Sequence, residues 1–231
     1  MKRLLSLDYF RGITIASMII VNDPGSWSHV YSPLRHAKWH GLNPADLVFP
    51  FFLFIIGVSI TLSLSKYETI SKKIYSKIIK RSLVIFFLGV LLSLFPNFNL
   101  NNFRLMGVLQ RISIVYFVCA IIFLNFKFRG QLIIGLTLLL IYWLFMGFVP
   151  FNDLAAGTLN PGENFAAWID SLIIPGKLYY ETWDPEGLFS SITAVVTGIS
   201  GMLCGNFINN KEINNSKKIL KLLLYGIIIL L

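Results

Sequence analysis

Asn22, Asp23, His29, Arg35, His36, His40 and Asp46 fall within one connection of the chain, which closes with HAKWHGLNPAD just ahead of a wholly apolar run. An imidazole is the side chain best fitted to take and return a proton near neutral pH, or to act as a nucleophile. His36 and His40 are therefore candidates for acid–base or acyl-transfer chemistry, with ordinary loop histidines as the plainer alternative. Asp46 has a plainer role too. Asn43-Pro44-Ala45-Asp46 reads as a helix start: Asn43 is the N-cap, Pro44 the first helical position and Asp46 the third, where its charge meets the helix dipole and the free amides. Capping still leaves carboxylate lone pairs for a second contact.

Two arginines raise a different question. Gln110 and Arg111 stand in GVLQRIS, and Arg111 lies about one turn inside an apolar segment, with Arg104 seven residues earlier on nearly the same face. A guanidinium there must snorkel, pair with an acid or bind an anion. Asp184 and Glu186 in WDPEGLF are candidate partners for it. Arg11 follows Asp8 by three residues, so those two can neutralise each other on one helix face. Trp27, Tyr31 and Trp39 suit rings at the level of lipid headgroups. Gly198, Gly201 and Gly205 suit close helix packing.

The elements that must position these groups are set by composition. The 231 residues are 55% hydrophobic and 13% charged, and the mean hydropathy is +0.70. These values belong to a membrane protein. A bilayer core of roughly 30 Å needs about 20 apolar residues as helix. Runs such as LVFPFFLFIIGVSITLSL do not alternate as the strands of a transmembrane barrel do. The expected fold is an all-α polytopic bundle, with spans near 10–22, 47–65, 82–95, 107–125, 131–150 and 188–208 and a seventh from Ile219. The seventh stops at Leu231 after 13 residues, about 20 Å of helix. The chain is therefore expected to be a C-terminally incomplete piece, residues 1–231 forming a single transmembrane domain.

Charge fixes the expected orientation. Lys2 and Arg3, the lysines from Lys66 to Lys80 with Arg81, Lys127 and Arg129, and Lys211, Lys217 and Lys218 all fall on one side if the spans alternate. That side, and the N-terminus with it, is the cytoplasm by the positive-inside rule. The formal charge of +9 is thus topological, and nucleic acid is not needed as a partner. The connections 23–46, 96–106 and 151–187 lie on the opposite side. The last is a long extracytoplasmic loop with an amphipathic piece from Phe165 to Ile174, and ordered loops of that length are usually functional. Cys119 and Cys204 have no neighbours at ligand spacing, so neither a disulfide nor a metal is expected. There is no phosphate loop, dinucleotide fingerprint, CxxC pair or HExxH.

The blocks SLDYFRGITIASMIIVN, HAKWHGLNPADLVFPFFLFIIGVSI, GVLQRISIVYF and WDPEGLFSSITAVVTG together resemble the heparan-α-glucosaminide N-acetyltransferase family of polytopic membrane acyltransferases, which includes many bacterial relatives. The resemblance runs from Leu7 to Gly205. It implies acetyl transfer from cytoplasmic acetyl-CoA, as co-substrate, to an amino sugar on the other side. His36 stands at the catalytic histidine of the HAxW block. Asn22, Asp46 and Arg111 match an asparagine closing the first span, an aspartate opening the second and the arginine of GVLQR. His40 replaces an asparagine of the lysosomal enzyme, which leaves the acceptor open. For a bacterial chain the location is the inner membrane, and the acceptor is an envelope glycan or another amino or hydroxyl compound, because bacteria lack heparan sulfate. The resemblance also leaves room for a homodimer.

On this reading His36 carries the acetyl group or acts as general base, and Asp46 or Asn22 fixes its tautomer. Arg111, Gln110, Asp184, Glu186, His40 and Arg11 are the candidate substrate-binding residues. By themselves the residues fit a transporter or a lipid- or glycan-handling protein equally well, with the polar cluster lining a path. The resemblance favours the enzyme.

Overall fold

The computed structural model describes residues 4–67, 69–95, 98 and 103–230. Lys2, Arg3 and most of the 96–106 connection lie outside the described residues. Six long helices, α1 (Leu5–Asn22), α2 (Pro44–Leu64), α3 (Lys72–Leu94), α4 (Val108–Asn125), α5 (Phe128–Phe148) and α7 (Ser191–Asn209), build the bundle. A nine-residue helix, α6 (Phe165–Ile173), and a two-stranded ribbon, β1 (Leu159–Asn160) and β2 (Glu163–Asn164), fold the 151–187 segment, and α8 (Asn215–Leu230) follows α7.

The fold is the expected helical one, with a narrower set of clear spans. Among the described residues, four helices, α2, α4, α5 and α7, are long and apolar enough to cross a membrane. Asp8 and Arg11 dilute α1, several lysines and Arg81 dilute α3, and α8 has only 16 residues. Of the about seven spans expected, four are thus shown on length and composition, and the count of seven is not reached among the described residues. α3 also begins ten residues before the expected start at 82. The reason lies in its first turns, where Ile74 and Ile78 are buried one helical turn apart while Lys72, Lys73, Lys77 and Lys80 are exposed. Apolar run length misses such a stretch, whereas spacing finds it.

Contacts fix the direction of each helix. Tyr75 reaches Asn125 and Ser113 reaches the Ser82 carbonyl, so α3 and α4 run antiparallel. Thr61 bonds the Met202 carbonyl, and Gly57 faces Gly198 while Gly205 faces Thr61, so α2 and α7 run parallel. Arg111 of α4 reaches Ser190 and Cys119 reaches the Val195 carbonyl, so α4 runs parallel to α7 as well, and the N-termini of α2, α4 and α7 gather at one end of the bundle, together with the His36 connection. The core joins Leu53 and Ile60 of α2, Val115 and Cys119 of α4, and Ile199 and Met202 of α7, all nearly inaccessible.

The α2–α7 seam has the most extensive packing in the bundle, and it depends on missing side chains. A methyl at Gly57 would overlap the Gly198 carbonyl, and one at Gly201 would overlap the Phe54 carbonyl. Backbones this close gain dispersion contacts that lipid cannot supply. Gly201→Ala is therefore expected to push the helices apart and cost about 1–3 kcal/mol. The check is the thermal midpoint of the purified protein, with Gly226→Ala as control, since a methyl at Gly226 meets nothing within 4 Å.

Candidate active site

The first turn of α2 carries the centre of the site. Asp46 Oδ1 lies 2.7 Å from His36 Nδ1. Asp46 Oδ2 accepts the amide protons of Asn43 at 2.8 Å and Ala37 at 3.2 Å. One carboxylate thus completes a capping box and clamps the histidine loop onto the helix it caps. An ionised carboxylate can only accept, so Nδ1 carries a proton, and in the neutral ring Nε2 then keeps a free lone pair. The His36 side chain is 56% exposed and that of Asp46 23%, so the ring is anchored through Nδ1 while more than half of the side chain stays accessible. Asn43 Nδ2 donates to the Arg35 carbonyl, and Arg35 Nε donates to the Val30 carbonyl, which holds the loop behind the ring. Pro50 sits four residues after Asp46 and cannot donate to its backbone carbonyl, leaving one more acceptor at this helix start.

Other expected site residues lie around this pair without joining it. Asn22 ends α1, exposed, and hydrogen-bonds neither His36 nor Asp46 among the described contacts. His40 is exposed in the bend that follows. Gln110 is buried, its amide packed against α3 at Gly89. Arg11 donates to Ser59 Oγ at 2.9 Å and lies 3.5 Å from Asp8, so the expected pair forms but does not occupy the whole guanidinium.

Asp184 and Glu186, expected to partner Arg111, bind Arg104 instead. Arg104 Nε donates to Asp184 Oδ2 at 2.7 Å, and its Nη2 bonds both acids. The cause is local. Arg104 lies in an extended segment that bridges to Gly176, and the Lys177 amide bonds the Phe103 carbonyl at 3.0 Å, which brings the 176–186 turn beside it. Burial works against the Arg104 charge, but the hydrogen bonds that it donates to both acids, and their negative charges, overcome it and raise the pKa above the usual arginine value. Arg111, one turn into α4, instead grips the turn that starts α7, donating to the Gly187 carbonyl at 3.1 Å and to Ser190 Oγ. Its Nε is buried and has no hydrogen-bond partner among the described residues.

The same turn is held from the other side by Asp170 of α6, which is 2% exposed. Asp170 Oδ1 accepts the Phe189 amide at 2.9 Å, and its other oxygen lies where any side chain on Gly187 would stand. Burial pushes this carboxyl up, while the Phe189 and Leu188 amides and the Arg111 charge pull it back. Sequence reading missed Asp170 as more than a loop charge. Its signal was an acid in an amphipathic nine-residue helix otherwise made of Phe, Ala, Trp, Ile, Leu and one Ser.

A cavity of ≈ 570 Å³ opens between α1, α2, α3 and α4. Phe52 and Leu109 line it toward the His36 end, and Phe52 is six residues past Asp46, about 9 Å along α2. Arg11, Ser59 and Ser63 line it toward the other end, with Arg81, whose guanidinium stands 4.8 Å over the Tyr116 ring. Two arginines and two serines at one end of a cavity whose remaining lining is mostly apolar suit an anionic ligand with an apolar arm.

Together these features define a helical membrane protein with a histidine–carboxylate pair at the converging helix starts and a basic cavity beside it. Comparison with known proteins specifies the family. Residues 3–170 match the family model described as heparan-α-glucosaminide N-acetyltransferase, catalytic, and the chain belongs to that family. The heparan-α-glucosaminide N-acetyltransferase of Mus musculus is 30% identical over 260 residues, covering 90% of this chain and 39% of the mouse protein. The human protein of the same name is 30% identical over 259 residues, covering 89% of this chain and 38% of its own length. The chain thus spans about two fifths of the length of these relatives.

Proposed function

We propose that this chain is the acetyl-transferring part of a membrane enzyme that moves an acetyl group from cytoplasmic acetyl-CoA to the amino group of an amino sugar or envelope glycan on the far side. The observation that carries the reading is the 2.7 Å His36–Asp46 bond, which in the neutral ring leaves the Nε2 lone pair free on a side chain that is more than half exposed. Family membership and the relatives' names support the acetyl chemistry.

The acceptor nitrogen attacks the thioester carbonyl, forming the C–N bond. His36 Nε2 takes the proton that this nitrogen must lose. The C–S bond then breaks, and the proton passes from the imidazole to the departing thiolate, giving an acetamide and free CoA. In the two-step variant Nε2 itself attacks first, and acetyl-imidazole meets the amine afterwards. Both routes need the same tautomer, which Asp46 holds. Arg111, at the start of α4, is the candidate to stabilise negative charge developing on the carbonyl oxygen, which its buried Nε would reach only on movement of the Gly187–Ser190 turn that it grips.

The cavity accounts for delivery of the donor. Its arginines lie toward the lysine-rich side, where CoA phosphates would meet Arg11 and Arg81, and its apolar length leads the pantetheine arm toward the start of α2. Arg81→Ala should raise the KM for acetyl-CoA about tenfold, the loss of one charge-assisted contact, with the acceptor KM unchanged. The decisive experiment measures CoA release by the full chain in lipid nanodiscs with glucosamine and with hydroxyl acceptors. Absence of acceptor-dependent CoA release across that panel would overturn the reading.

A further inference from the structure

On the face that holds His36, four aromatic rings from two distant segments form one continuous ladder. Trp39 meets Trp183 edge to face, with centroids 4.9 Å apart. Trp183 stacks on Tyr180 at 4.6 Å and 23°. Tyr179 closes the ladder edge-on to Tyr180 at 4.6 Å, with Arg104 4.7 Å above its ring. We infer that the Trp39–Trp183–Tyr180 ladder is a pyranose-stacking subsite that seats the acceptor sugar beside His36. This rests on the acetyl-transfer reading above and adds where the acceptor binds and through which groups.

The ladder is built rather than incidental. Trp39 Nε1 donates to the Leu159 carbonyl at 2.7 Å, a contact across 120 residues of sequence that ties the ring to the β1–β2 ribbon. Gly162 at the tip of that ribbon lies so close to Thr182 that no side chain fits there. The Tyr180 amide bonds the Trp183 carbonyl at 3.0 Å, and Glu181 between them holds a left-handed backbone at φ +60°. Strain of that kind persists only where the surroundings enforce it.

Position and chemistry select the occupant. Trp39 is three residues after His36, so their Cα atoms are at most about 11 Å apart, a gap that one or two sugar rings span. Tyr179 and Tyr180 remain more than half exposed; Glu181 and Thr182, exposed, stand between Tyr180 and Trp183 in the chain, and Asn160 and Glu163, also exposed, belong to the ribbon that Trp39 is tied to. A pyranose offers a face of polarised C–H bonds to the negative face of an aromatic ring and a rim of hydroxyls to such neighbours. A headgroup anchor, by contrast, keeps its indole N–H for the lipid, and that of Trp39 is already taken.

The test uses the full chain in nanodiscs. Trp183→Ala should raise the KM for glucosamine about tenfold, as expected for loss of a stacking partner, leave the KM for acetyl-CoA within twofold, and be rescued by Trp183→Tyr. In parallel, tryptophan fluorescence is titrated with glucosamine in the absence of acetyl-CoA, where quenching should occur in the parent and weaken in Trp183→Ala. Folded Trp183→Ala and Trp39→Ala proteins with unchanged glucosamine KM overturn the subsite and leave the acetyl-transfer reading standing. If CoA is never released, that reading falls, and the fluorescence titration alone decides the subsite: retained quenching that Trp183→Ala abolishes upholds it, and no quenching overturns it.

Discussion

Replacing His36 by alanine is expected to lower acetyl-transfer turnover by about 10²–10⁴-fold, the usual worth of a positioned general base or nucleophile. The protein should remain folded, because the ring is more than half exposed and makes one hydrogen bond among the described residues. Its partner is not stranded either, since Asp46 keeps the Asn43 and Ala37 amides and gains access to water. The loss should appear in kcat with the KM for acetyl-CoA nearly constant, because the cavity that would hold the donor does not include this ring. Incubation with labelled acetyl-CoA and no acceptor then separates the two routes. Label retained on the parent and absent from His36→Ala marks acetyl-imidazole, and no retained label marks direct transfer. A folded His36→Ala protein that transfers acetyl at the parent rate would remove the histidine from the mechanism.

How much of this was legible in the sequence depends on the range of the interaction. The capping role of Asp46 was readable because it is local, Asn-Pro-Ala-Asp being a helix start wherever it occurs. The Phe165–Ile174 piece became α6 for the same reason, its periodicity being complete within nine residues. The glycines at 198, 201 and 205 were legible as a packing face because spacing alone puts them on one side of α7. Longer-range choices were not readable. Arg104 and Arg111 compete for the same two acids, and the outcome is set by a backbone bridge to Gly176 that no pattern announces. Arg81 counted only as one more topological charge, yet the antiparallel packing of α3 on α4 brings it over Tyr116 at the cavity wall. Trp39 read as a headgroup anchor, since a partner 120 residues away has no signature in a single chain.

The sharpest test of the pair concerns the proton rather than the ring. In Asp46→Asn the amides of Asn43 and Ala37 still require an acceptor, and both point at the Oδ2 position. The new amide oxygen must therefore face them, which turns the NH₂ group toward His36 Nδ1. An NH₂ there can only donate, so Nδ1 has to accept and the ring proton moves to Nε2. That is the nitrogen the acceptor amine needs unprotonated. Turnover should fall by about 10²-fold or more, the consequence of holding an imidazole in the wrong tautomer, while the retained oxygen preserves the cap and keeps the thermal midpoint near that of the parent. Asp46→Ala separates the two duties, because it frees the ring to choose its tautomer but removes the cap, at about 1 kcal/mol. The expected order is that asparagine damages catalysis more than stability, and alanine the reverse. If Asp46→Asn keeps parent turnover while Asp46→Ala loses both, Asp46 serves the helix alone and the proton on His36 is set by something other than this carboxylate.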